Sequence, residues 1–277
     1  MSETPPNAEI GACQLVFARS AWPVLRVHMA LITTTALCLR KIDFSESSQI
    51  LTLLTDKLGI TGAIAKGAKR AKSGVGGALD LMCLYDVVVY DRSRRDVLSI
   101  LAQAQLIEFF PAIRESYAGF QAAEALRELL LCIEVGPQDG SAVLLLAVAC
   151  LREAGEHGCQ WRALARFCFH LLGQLGVEPS FTHCAITGRE PSGKVSVNFS
   201  LDLMGLISPP HDENRPHLLR ISGRTLRALR ALALGEGTGD IGVDAWRGAF
   251  TLLAWLVAQQ SGRKLIVAPR LNAAKAI

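Results

Sequence analysis

Aromatic residues are scarce in this chain: three Tyr, four Trp and ten Phe among 277 residues. A surface that recognises its ligand chiefly by stacking rings is therefore not expected. The eight cysteines, Cys13, Cys38, Cys83, Cys132, Cys150, Cys159, Cys168 and Cys184, form no CxxC pair. Most lie in apolar runs, where a free thiol behaves as a small hydrophobe. A disulfide framework is not expected in a chain of this length with a good core, and the compartment reads as reducing and cytoplasmic. There is no GxxxxGK[ST] loop, GxSxG elbow or HExxH helix, and no paired catalytic carboxylates stand out. Cys168 and His170, two apart on a helix, point in different directions. An uninterrupted apolar run is missing too. The stretch from Leu15 to Leu39 is broken by Arg19, Arg26 and His28, which fits neither a spanning helix nor a signal peptide.

Half of the residues are hydrophobic, mainly Leu, Ala, Val and Ile, and the net charge is only +4. That balance permits an anionic partner without demanding one. The excess is uneven. Residues 36–100 carry ten Lys or Arg against seven Asp or Glu, while residues 101–277 carry seventeen against sixteen.

Strand periodicity begins at Thr33. Thr33, Thr35, Leu37, Leu39 and Lys41 alternate with Thr34, Ala36, Cys38 and Arg40. The turn at 43–47 leads to a strand over Gln49–Thr55, the Gly59 turn to a short strand over Ile60–Lys66, and further strands follow over Leu81–Tyr90 and Val97–Ile107. Gly62, inside the third strand, predicts a bulge or sharp bend. Five strands in about 75 residues, joined by short turns and one long basic loop, match a Greek-key barrel of OB type. An SH3-like barrel is the structural rival.

Beyond Pro111 the period becomes helical. Leu126, Leu129, Leu130 and Ile133 share one face, and Ser141–Leu151 is apolar almost all round, as a central helix would be. Trp161, Leu164, Phe167, Cys168, Leu171, Leu172 and Leu175 form another stripe. Residues 181–216 read as an irregular insert with a hairpin. Ile221–Leu234 reads as a helix with Ser222 as its N-cap, and Trp246, Ala249, Phe250, Leu253 and Val257 mark the last one. The fold class is α+β: an extension over 1–28, a five-stranded OB-fold barrel over 29–109 and an all-helical domain over 110–277 carrying the insert at about 181–216.

Lys66, Lys69, Arg70 and Lys72 fall within seven residues of a glycine-rich loop, with no acid between Asp56 and Asp80. Phosphate attraction supplies most sequence-independent nucleic-acid affinity, and a cationic groove on an OB barrel is a usual way to hold a single strand. A solvated charge cluster is the plain alternative. Arg92, Arg94 and Arg95, with Arg40 and Lys41, extend the same basic surface or form a charged hairpin tip. Of the barrel's rings only Phe44, Tyr85 and Tyr90 are stacking candidates, and Tyr85 suits the core as well, so binding is expected to lean on electrostatics. Arg220, Arg224, Arg227 and Arg230 lie along one helix. Arg224, Arg227 and Arg230 are candidates for a second anion site, for DNA or for an acidic peptide, against an ordinary solvated face. His183 and Cys184, with Thr187 where a CxxC would place its second cysteine, do not reach the four ligands of a closed zinc site.

The run ALCLRKIDFSESSQILTLLTDKLGITGAIAKGAKRAKS over 36–73 resembles the amino-terminal signature of the RecO recombination mediators. Leu39, Arg40, Asp43, Phe44, Glu46, Ser47, Thr52, Leu53, Thr55, Gly59, Lys66, Gly67, Ala68, Lys69 and Arg70 carry the likeness in order and spacing. It continues more weakly to Phe109, and the helical remainder agrees in pattern and length. The resemblance places the start of the family near Met29. It implies an OB-fold followed by a helical domain, binding of single- and double-stranded DNA and annealing of complementary strands. It also implies partnership with RecR, with the acidic tail of single-strand-binding protein and, indirectly, with RecA. The expected setting is the cytoplasm, at the nucleoid, with no membrane. Many relatives carry a four-cysteine zinc module. Here Cys184 remains with Phe199, Ser200 and Gly205, the other three cysteines are missing, and no cofactor is expected. Two other functions compete: an interaction scaffold without DNA binding, and a hydrolase or transferase using His183 or Cys184.

Overall fold

The computed structural model describes residues 30–69, 75, 77, 79–91, 97–191, 196–212, 215–236, 241–263 and 265. The extension over 1–28 lies outside them. Five strands, β1 Ala30–Asp43, β2 Gln49–Thr55, β3 Gly59–Ala65, β4 Leu84–Asp91 and β5 Ser99–Glu108, close into a barrel in the order β1-β2-β3-β5-β4. All neighbours are antiparallel except β3 and β5, which meet in parallel at Ala63–Ser99 and Ile64–Ile100. The interior is filled by Ala36, Cys38, Leu51, Leu53, Ala63, Ala65, Val87, Val89 and Leu101, all buried. Alanines on β1 and β3 suit so narrow a lumen.

The alternation along β1 is interrupted once. Cys38 pairs with Leu53, but Arg40 pairs with Thr52, so Leu39 is an extra residue in a bulge. Leu37 and Leu39 both face outward into the helical core, and Arg40 also faces outward, exposed. Lys41 therefore leaves the Leu37–Leu39 face expected for it and reaches Asp80, 2.9 Å away. Gly62 is not the site of a bulge, because β2 and β3 keep register through Thr52–Gly62. A Cβ there would come within 2.7 Å of Leu98 Cδ2, so its smallness serves close packing instead. The strand expected from Leu81 begins at Leu84. Met82 takes a positive φ of 53°, and its amide donates to the Cys38 carbonyl.

The helices are α1 Tyr117–Cys132, α2 Gly140–Ala154, α3 Gln160–Gln174, α4 Gly223–Leu234 and α5 Val243–Ser261, preceded by one 3-10 turn over Pro111–Ile113. Ser116 and Ser222 cap α1 and α4, their hydroxyls accepting from the amides of Gly119 and Thr225. The helix buried on nearly every side is α5, with Trp246, Phe250, Leu252, Leu253, Leu256 and Val257 all inside. α2, expected to be central, leaves Leu145 69% exposed. The insert is more regular than expected. β6 Ser180–Cys184, β7 Ser196–Ser200, β8 Gly205–Ile207 and β9 Leu218–Ser222 form a four-stranded sheet in the order β6-β8-β7-β9. Its Phe181 and Phe199 stack 5.4 Å apart and join the helical core.

Barrel and helices meet along a tight seam. Leu37, Leu39, Leu54 and Leu84 on the barrel's outer face belong to the same core as the helices. Gly59, at a positive φ of 67°, lies so close to the carbonyls of Val135 and Gly136 that a Cβ would fall within 2.2 Å of the former. The next amide, that of Ile60, donates to the Val135 carbonyl at 3.0 Å.

Candidate nucleic-acid interface

Side chains on the outer face of β1, β2 and β3 fall into rungs set by the register. One rung is Arg40, Thr52 and Gly62, and the next is Ile42, Ile50 and Ile64. Ile64 continues to Ile100 on β5, and Ile100 to Tyr90 on β4. Lys66, exposed, lies two residues beyond Ile64. An aliphatic strip is thus bracketed by two exposed cations, Arg40 level with Gly62 and Lys66 four residues further on, roughly 13 Å apart along the strand. The turn after β1 is closed by the Phe44 amide donating to the Ser48 carbonyl at 3.0 Å, and Phe44 is 63% exposed. Leu98, over Gly62, brings the end of the β4–β5 connection across the same face. Strands 2 and 3 with the connections after strands 1 and 4 are the surfaces by which OB folds take oligonucleotides.

The basic loop after β3 is pegged rather than loose where it is described. Ala68, Val75 and Leu79 are buried in the barrel core, and the Lys69 amide donates to the Ser47 carbonyl at 3.2 Å. Lys69 Nζ lies 2.8 Å from Asp43 Oδ2. This contact, with a second from Gln49, lowers the Asp43 pKa below the ordinary carboxylate value. Lys69 is therefore already paired, as is Lys41 with Asp80. Arg40 and Lys66 make no ion pair among the described residues. Arg70 and Lys72, and Arg92, Arg94 and Arg95 in the β4–β5 connection, lie outside the described residues. Tyr85 is core: it is buried, and its hydroxyl accepts from the Asp80 amide at 2.8 Å. Phe44 and Tyr90 remain at the surface. Ile42, Ile50 and Ile64 carry no signal that sequence reasoning could use, because their common row depends on the bulge at Leu39.

On α4, Arg224 and Arg227 are exposed. Arg230 is turned inward, with Nε donating to the Phe181 carbonyl at 3.2 Å and Nη1 2.9 Å from Glu190. The three arginines do not form one open face.

His183 and Cys184 are neighbours on β6 and point to opposite sides, His183 exposed and Cys184 buried. A polar hollow of about 530 Å³ in this sheet is lined by Ser196, Asn198, Ser208, Asp212 and Arg220, and neither His183 nor Cys184 lines it. The Cys184 sulfur accepts from the Ser208 amide at 3.4 Å. Burial pushes its pKa up, but hydrogen bonds from the Thr187 hydroxyl and the amides of Thr187, Ile186 and Ser208 outweigh this and bring it to about 6. Among the described residues no group of three or more His, Cys, Asp or Glu side chains is gathered to hold a metal ion. Cys168 lies wholly inside α3, its pKa pushed up by burial. Among the described residues no helix is long and apolar enough to cross a membrane.

Comparison with known proteins gives one answer along nearly the whole described chain. The family model "Recombination protein O N terminal" matches residues 29–110, and "Recombination protein O C terminal" matches residues 115–266. The chain is 32% identical over 203 residues to the DNA repair protein RecO of Rhodopirellula baltica, covering 72% of this chain and 73% of that one. It is 30% identical over 243 residues to that of an Anaeromyxobacter species, covering 84% and 93%. It is 25% identical over 240 residues to that of a Synechocystis species, covering 82% and 87%.

Proposed function

The chain belongs to the recombination protein O family, DNA-repair mediators rather than enzymes, and on that premise we propose that it binds single-stranded DNA across the outer face of β1, β2 and β3 and anneals complementary strands. The observation that carries this reading is the aliphatic strip of Ile42, Ile50 and Ile64 set between the exposed Arg40 and Lys66. The cations hold phosphates and read no sequence. The strip receives the apolar faces of unstacked bases. Arg70, Lys72, Arg92, Arg94 and Arg95 add to the same field from the two connections that border the face, and Lys69 joins when it leaves Asp43. Duplex DNA, whose backbone offers the same charges, is bound through this electrostatic component alone.

The wider role follows from the same premise. The protein brings strands together after displacing or engaging single-strand-binding protein, partners with RecR, and so helps RecA to load, working in the cytoplasm at the nucleoid and without a cofactor. The exposed pair Arg224 and Arg227 on α4 offers a site for the acidic tail of single-strand-binding protein.

The direct test is a titration of single-stranded oligonucleotide against salt with an Arg40→Ala, Lys66→Ala variant. Affinity falls for all sequences alike, and the slope of log K on log salt flattens by about 1.4, the loss of two phosphate contacts at roughly 0.7 each. Unchanged affinity at low salt would remove the proposal. For the tail, replacing Arg224 and Arg227 by Ala abolishes pull-down by an immobilised acidic-tail peptide while leaving DNA binding intact, and undiminished pull-down excludes that site.

A further inference from the structure

Among the described residues five aromatic side chains are more than a third exposed, and three of them stand outside the strip within one twelve-residue stretch: Phe109 at 46%, Tyr117 at 75% and Phe120 at 55%. Tyr117 opens α1, whose start is fixed by the Ser116 cap. Phe120 follows one turn later on the same side, opposite the buried Ala122, Leu126 and Leu129. Arg114 lies between, its guanidinium 4.7 Å from the centre of the Phe109 ring and its Nη2 donating to the Leu81 carbonyl at 2.9 Å. That carbonyl ties the group to the barrel: Leu81 follows Asp80, which pairs with Lys41 beside Arg40. The flanking acids Glu108 and Glu124 are neutralised by Arg152 and Arg127, while Glu115 faces solvent.

We propose that Phe109, Tyr117 and Phe120 form a base-stacking station for single-stranded DNA, with Arg114 as its fixed cation, extending the path of the strand past the edge of the barrel onto α1. The inference rests on the single-strand reading above. It deepens that reading, because the strip on the barrel supplies cations and aliphatic side chains but few rings. An exposed ring under a guanidinium, followed by two more exposed rings on the first turn of the next helix, matches a ligand that carries flat π faces and phosphates together. A purely apolar partner would leave Arg114 unused, and a purely anionic one would leave the rings wet. Stacking tolerates any base, so the station adds affinity without sequence preference.

The test uses the full chain and a thymidine oligonucleotide carrying 5-iododeoxyuridine. Irradiation of the unaltered complex should place crosslinks on peptides containing Phe109, Tyr117 or Phe120. A Tyr117→Ala, Phe120→Ala variant, with its circular dichroism unchanged, should lose affinity by on the order of tenfold or more per lost stack, with the salt slope preserved. A Tyr117→Phe, Phe120→Tyr variant should bind like the parent. If the Ala variant binds like the parent and crosslinks map only to the barrel, the station is overturned while the function stands. If the parent binds no single strand, both fall. Undiminished DNA affinity with altered self-association in sedimentation would make the patch a protein interface and likewise overturn the station.

Discussion

Leu39 decides which way Arg40 points. Were Leu39 paired in a regular register rather than bulged, Arg40 would stand opposite Leu51 and enter the barrel, where an unpaired charge is costly. With the bulge, Arg40 joins the outer rung and Lys41 turns to Asp80. Cys184 is the other position where one side chain has an outsized consequence. Its thiol titrates at about 6 rather than 9. An acidic group whose folded pKa is depressed contributes stability that is complete above its unfolded pKa and lost as pH falls through its folded pKa. Between pH 9 and pH 6 the denaturant midpoint of the native protein should therefore fall more steeply than that of a Cys184→Ser variant. Parallel curves would show that the sulfur is not held as a thiolate.

At the scale of elements, the loop after β3 is held to the turn after β1 by the Lys69–Asp43 pair and by the bond between the Lys69 amide and the Ser47 carbonyl. The pair is exposed, so it contributes little stability, and on the proposed reading it competes with phosphate for Lys69. Asp43→Asn leaves the backbone bond in place and frees the cation. Single-strand affinity at low salt should rise, and the salt slope should steepen by about 0.7, one added phosphate contact. A slope that does not move would show that Lys69 takes no part in binding. The strands themselves were legible to within a few residues, since β-branched and aliphatic runs bounded by turns identify them. So was α4, from Ser222 and the leucine spacing. The sheet β6-β8-β7-β9 was not, because its order crosses the chain and includes a parallel pair, and short local patterns do not encode distant pairing.

For the whole molecule, the shared core makes the barrel and the helices one mechanical body. Leu54 sits on the outer face of β2 yet is wholly buried among helical residues. Leu54→Ala should cost about 2–5 kcal/mol, and far-ultraviolet circular dichroism and the fluorescence of Trp161, Trp246 and Trp255 should report the same, lower midpoint. Separate transitions would mean that the seam does not couple the two parts. Rigid coupling also bears on the proposed strand path, which would need the surfaces of the barrel and α1 held in a constant relation.

Composition and periodicity alone were enough for a small barrel followed by helices, for the basic character of residues 36–100 and for the candidate cations. These follow from local backbone preference and from charge, which each residue carries wherever it is placed. Tertiary structure alone decided that Lys69 is paired with Asp43, that Arg230 is turned into the fold, that three isoleucines line up beside Arg40, and that α5 is the central helix. Each of these depends on contacts between distant segments, and one unpaired residue in a strand is enough to exchange its inner and outer faces.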